Sequence, residues 1–177
     1  EAADLVMDAF DLADKYRNPV MIVGDGMIGQ MMEPVEFRDY KTPANIDRSY
    51  ANNGAKDREP TIVRSLFLDP LKLEENNMEL REKYRQMERE EIRFEEHAIS
   101  EKMDVLVVSY GMMARVCKTA IDELNEEGHK VGLLRPISLF PFPSAAVHKA
   151  AGQARKIISV EMSTGQMVED VRLAVKG

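Results

Sequence analysis

The chain has 177 residues, 31 of them acidic and 24 basic, for a formal charge of −7, and that length has room for one well-buried core and a partial second region. An acidic, mixed-sign chain argues against a nucleic-acid partner, because phosphate binding draws on clustered Lys and Arg. No apolar run approaches the ~20 residues of a membrane span, and no basic-then-apolar leader opens the chain, so a cytoplasmic protein without membrane contact is expected.

In chain order, Leu5, Ala9, Leu12, Ala13 and Tyr16 recur at helical spacing until Asn18-Pro19 stops them, and the apolar run at 20–23 is expected to form a strand. A lone helix and strand cannot enclose a core, so residues 1–33 are expected to be the edge of a preceding domain. Residues 34–72, with Pro34, Pro43 and Asn52-Asn53-Gly54, read as an extended linker. Within it, the apolar stretch at 62–68 is a strand or a segment lying on a domain surface. Residues 73–102 are expected to be a charged connecting helix. Leu80, Tyr84, Met87, Phe94 and Ala98 give its stretch at 74–96 a narrow apolar stripe, with Glu79 and Lys83 at the favourable i,i+4 spacing.

From 103 to 177 the pattern is strand, helix, strand, helix, strand, helix. The runs at 105–108, 131–134 and 157–160 are unbroken and mostly β-branched or Leu, as in strands buried on both faces of a parallel sheet. The expected fold is therefore α/β, a three-layer α/β/α arrangement around a mainly parallel sheet. Val116, Ala120 and Leu124, with Cys117 and Ile121 beside them, are expected to form one helix's apolar face, stopped by Gly128. Ser144 is suited to cap the next helix, which runs through Val147 and Ala151 to Gly152. Met167, Val168, Val171 and Ala174 line the last. Ligands of such sheets gather at the carboxyl ends of strands, here residues 109–112, 135–143 and 161–166.

The stretches DVLVVSYGMMARVCKTAIDELNEEGHKVGLLRPISLFPFP and KIISVEMSTGQMVEDVRLAV resemble the transketolase C-terminal-type domain of the alpha subunits of 2-oxoacid:ferredoxin oxidoreductases. The wording is nearest the 2-oxoisovalerate type. The head, AFDLADKYRNPVMIVGDGMIGQMMEPV, resembles the end of the same subunit's pyrimidine-binding domain and its exit linker. The resemblance implies oxidative decarboxylation of a 2-oxoacid on thiamine diphosphate with Mg²⁺, electron passage through iron–sulfur clusters to ferredoxin, and acyl transfer to coenzyme A. It also implies partner subunits, a homodimer, and a domain truncated at both ends, since an activating carboxylate is expected upstream and one more strand downstream. The diphosphate motif and the clusters belong to other chains, so no catalytic, cofactor-binding or metal-binding residue is assigned here. An independent α/β binding or scaffold module without chemistry remains the alternative.

Gly24-Asp25-Gly26, followed after 25 residues by Asn52-Asn53, matches the spacing of the diphosphate motif in thiamine diphosphate enzymes. That motif needs a helix after the turn and an apolar strand before the Asn pair. Here Pro34 and Pro43 interrupt the first, and ANIDRSYA supplies no strand, so a coincidence is expected. Cys117 cannot form an internal disulfide and is expected to point inward as an inert thiol, and no CxxC pair is present. His97 in the charged helix, His129 after a helix stop and His148 within a helix show no metal-ligand spacing, and no nucleophile elbow or P-loop appears. Glu161 follows the third strand directly. It either binds the amides of its own loop or faces a substrate or subunit. Ser163 and Thr164 are suited to cap the last helix, and Gly165 and Gln166 complete a loop that could receive a polar or anionic group.

Overall fold

The computed structural model describes residues 1–40 and 47–176; Pro43, one of the expected linker prolines, lies outside them. The chain divides into two compact units, Glu1–Gly24 with Met31–Lys83, and Asp25–Gln30 with Tyr84–Gly177.

The first unit is built on helix α1 (Ala2–Tyr16), which ends where Arg17 turns left-handed at φ 46° and donates its N–H to Ala13. Its acidic residues fall at three- and four-residue spacing, hence on one side, and later residues engage that side. Arg38 pairs with Asp8, the Tyr40 hydroxyl donates to Asp11 at 2.6 Å, and Arg48 and Tyr50 share Asp14 at 2.6 and 2.9 Å. The extended linker is thus fastened at several points along α1. Residues 20–23, expected to be a strand, form none. A strand exists only against a neighbour that takes its N–H and C=O groups, and no described residue pairs with this run, whose side chains are 40–85 % exposed. For the same reason residues 62–68 remain irregular.

Helix α2 (Pro70–Glu90) begins earlier than its apolar stripe suggested, because Asp69 caps it through the Leu71 N–H at 2.9 Å and Pro70 tolerates the first helical position. It also ends earlier. Instead of continuing the connecting helix, residues 94–97 form strand β1 (Phe94–His97), antiparallel to β3 from Phe94↔Pro136 to His97↔Leu133. Sheet pairing here overrides the helical preference of a charged segment. His97 accordingly lies on a strand, its Nε2 2.7 Å from Asp122 Oδ1.

The remaining elements are β2 (Met103–Ser109), α3 (Gly111–Glu126), β3 (Val131–Pro136), α4 (Ser144–Ala151), β4 (Ala154–Val160) and α5 (Met167–Lys176). The sheet order is β1-β3-β2-β4, with β2 parallel to both its neighbours. The three expected strands lie inside β2, β3 and β4, and the layers are α/β/α. Leu106, Val108 and Leu134 pack with Val147, Ala150, Met167 and Val171 on the α4 and α5 face. Val107, Val131 and Leu133 meet Ala114 and Ile121 on the α3 face.

The α3 face differs from the expected one. Ala114 and Ile121 are buried with Cys117 beside them, while Val116, Ala120 and Leu124 are exposed. At about 100° per residue, the helix has rolled by roughly one position relative to the expected stripe. Gly128 does end the turn after α3 with φ 94°, and the Asn125 amide then brackets Val131 with two bonds of 2.9 Å. Ser144 does not cap α4 with its side chain; Pro143 is the cap residue, and its carbonyl receives the Val147 N–H at 3.0 Å.

Candidate functional site

After β2 the chain turns to the α3 face, and after β4 it turns to the α5 face. Adjacent parallel strands whose continuations diverge leave a crevice at their carboxyl ends, the usual ligand position in open α/β sheets. At these strand ends the fully buried Ser109 donates its hydroxyl to the Val160 carbonyl at 2.7 Å, tying β2 and β4 together.

Each helix leaving this crevice has N–H groups that need acceptors. Tyr110, at the cap position of α3, makes no side-chain cap bond. The acceptor comes from far away in sequence, because Asp25 Oδ2 lies 3.3 Å from the Met112 nitrogen. The other oxygen, Oδ1, receives the N–H groups of Met27 and Ile28 at 3.0 and 2.8 Å, so one carboxylate closes its own turn and caps a remote helix. Gly111 suits this position through its backbone, since a Cβ there would make only ordinary contact. It stands at φ 58°, and a Cβ there would sit 3.4 Å from Asp25 Oδ2.

At α5 the acceptor is Glu161. Its carboxylate receives the N–H groups of Gln166, Met167 and Val168 at 3.1, 3.0 and 3.1 Å, and the Ser163 hydroxyl at 2.7 Å. Burial alone would raise the Glu161 pKa, but the Ser163 hydroxyl and the three N–H donors outweigh it and hold the carboxyl below its ordinary range. The cap is therefore Glu161, not Ser163 or Thr164. Gly165 supplies the left-handed turn at φ 107°, and Gln166 contributes its backbone N–H while its side chain faces solvent.

A third group stands at the end of β3. Glu95 on β1 bridges Lys118 of α3 and Arg135 of β3, the latter at 2.9 Å, and Lys118 first, then Arg135, lower its pKa against the cost of burial. Neither this triad nor the Asp25 contact was foreseen from sequence. The pointers were Arg135 closing an apolar run and a Tyr, not Ser, Thr, Asp or Asn, at the cap position before α3.

These carboxylates hold backbone and cations of the chain itself. Among the described residues, no group of three or more His, Cys, Asp or Glu could hold a metal ion. Both Asp25 oxygens accept backbone N–H groups, and Asn53 Oδ1 accepts from Arg58 at 3.0 Å.

Residues 1–98 match the family described as "Pyruvate flavodoxin/ferredoxin oxidoreductase, thiamine diP-bdg". The chain belongs to this family. Residues 103–177 match "Pyruvate:ferredoxin oxidoreductase core domain II". The chain is 48 % identical to the ketoisovalerate oxidoreductase subunit VorB of Methanothermobacter marburgensis, over 98 % of this chain and 49 % of that one. It is 30 % identical to the 2-oxoglutarate synthase subunit KorA of Archaeoglobus fulgidus, over 94 % of this chain and 48 % of that one. The chain thus spans about half the length of these relatives. Among solved structures, a 2-oxoglutarate:ferredoxin oxidoreductase from Magnetococcus marinus, bound to 2-oxoglutarate, coenzyme A and succinyl-CoA, shares the fold. Its TM-score is 0.56 at 23 % identity, covering 61 % of this chain and 19 % of that one. Among the described residues, no helix is long and apolar enough to cross a membrane.

Proposed function

We propose that this chain is the scaffold portion of the alpha subunit of a 2-oxoacid:ferredoxin oxidoreductase that acts on 2-oxoisovalerate. The observation that carries the reading is the 48 % identity to a ketoisovalerate oxidoreductase subunit across 98 % of the chain. A scaffold role is supported by the Asp25 and Glu161 carboxylates, which accept backbone N–H groups at the starts of α3 and α5. Thiamine diphosphate, Mg²⁺ and iron–sulfur clusters are supplied by the rest of the assembly, which passes electrons to ferredoxin and the acyl group to coenzyme A. Residues 1–33 are the end of a pyrimidine-binding domain, and their exposed run at 20–23 supports that reading, since it has the composition of a sheet strand without a sheet. Residues 103–177 serve assembly with other subunits and with a second copy of the same subunit. Loop 161–166 borders the active site or a neighbouring subunit through the exposed side chains of Ser163 and Gln166.

The test is reduction of ferredoxin by the subunit assembled with its partner chains, offered 2-oxoisovalerate or 2-oxoglutarate with coenzyme A. A higher kcat/KM for the branched acid is expected. Preference for 2-oxoglutarate overturns the substrate, and no reduction with either acid overturns the enzyme reading.

A further inference from the structure

The Gly24-Asp25-Gly26 turn holds backbone of this chain through the Asp25 carboxylate. Residues 25–30 belong with the second unit although the chain on both sides of them belongs with the first. They form a closed turn, with the Gly29 N–H on the Asp25 carbonyl at 3.3 Å and the Gln30 N–H on that of Met27 at 3.0 Å. The turn reaches α3 at a residue without a side chain, where a Cβ on Gly111 would lie 3.4 Å from Asp25 Oδ2 and 3.9 Å from Ile28 Cδ1. Met27 and Ile28 remain 53 and 37 % exposed, so little apolar surface holds the turn down. Among the described residues, its polar tie to α3 is a charge-assisted bond from the Met112 N–H to Asp25.

We propose that residues 25–30 are a strap over the N-terminus of α3, latched there by Asp25 and able to open while the sheet stays folded. The sheet does not depend on the strap, because its strands are paired with each other and its two apolar layers include none of residues 25–30. Opening frees the N–H group of Met112 at the edge where α/β sheets receive ligands and partners. This inference stands apart from the oxidoreductase reading and holds or fails without it.

Asp25→Asn separates the latch from the turn. An Asn keeps one carbonyl oxygen, which can still accept from Met27 and Ile28, but turns an NH₂ group toward the Met112 N–H where an acceptor is required. Residue-resolved amide exchange on the full chain is the measurement, with limited proteolysis beside it. In D25N the Met112 amide is expected to exchange about fivefold faster, the size of a lost helix cap, and cleavage within 25–30 to accelerate. The Leu106 and Val108 amides of β2 should keep their wild-type rates. Two results overturn the proposal. If Met112 exchange and cleavage stay within about twofold of wild type, there is no latch. If the β2 amides accelerate together with Met112, the contact is part of the folded core and not a strap.

Discussion

In the first unit α1 buries Tyr16 fully and Leu5, Ala9 and Leu12 partly, and Asp8, Asp11 and Asp14 each bind an Arg or Tyr at the surface. In the second, β2 sends Leu106 and Val108 into one apolar layer and Val107 into the other. Exposed ion pairs contribute little in water and are weakened by salt, whereas apolar burial is insensitive to charge and large when complete. One chain thus carries two kinds of cohesion, and substitutions should separate them.

The largest effect is expected in the apolar layers. Leu133 is fully buried on the α3 face, and Leu133→Ala should cost about 2–5 kcal/mol by lost transfer energy plus a residual cavity. Phe10→Ala, at a side chain 72 % exposed on α1, should cost under about 0.5 kcal/mol. Urea midpoints followed by circular dichroism compare the two. Equal losses would mean that α1 belongs to a cooperative core of its own.

Salt should act on the other unit. Raising ionic strength from about 0.05 to 1 M shortens the screening length to about 3 Å. Amide exchange in α1 should accelerate as the Arg38 and Arg48 clamps weaken, while exchange in β2 stays constant. A uniform response of both elements would remove the distinction.

The same contrast explains which parts of the molecule were legible in the sequence. The β2 and β3 cores are apolar runs whose burial leaves a composition that needs no partner to be recognised, whereas β4, expected to be buried on both faces, is an edge strand with Ile158 47 % exposed. β1 was hidden because Phe94-Glu95-Glu96-His97 has helix-forming charge and becomes a strand only against β3. Residues 20–23 erred the other way, with strand composition and no ladder among the described residues. At the site, the self-binding role of Glu161 was one of two open readings because its donors lie five to seven residues away. Asp25 was opaque because its helix begins near Gly111, 86 positions on, and local pattern carries no information across that distance.

A smaller effect concerns acid. The Glu161 carboxyl has a depressed folded pKa, so its contribution is complete above the ordinary glutamate value of about 4.3 and is lost as pH falls through the folded value. Glu161→Gln should therefore melt below wild type at pH 7, with the gap closing on the acid side of that value. Calorimetric scans between about pH 7 and 3 would show it. A gap that stays constant across the range would mean the carboxylate's charge is irrelevant and only its shape caps α5.

The smallest expected change in the fold, and the one that bears most on function, is at Gln166. Its backbone N–H donates to Glu161 at 3.1 Å, but its side chain is exposed at the edge where β4 delivers the chain to α5. Removing the amide in Gln166→Ala keeps every backbone bond of the cap, so the melting temperature should move by under about 0.5 kcal/mol equivalent. If loop 161–166 borders a neighbouring subunit or substrate, the same substitution should lower subunit affinity or turnover in the assembled enzyme severalfold, since an exposed donor and acceptor act only on something outside the chain. The two readouts must diverge. A variant that melts early yet assembles and turns over normally would make the loop a cap and nothing more.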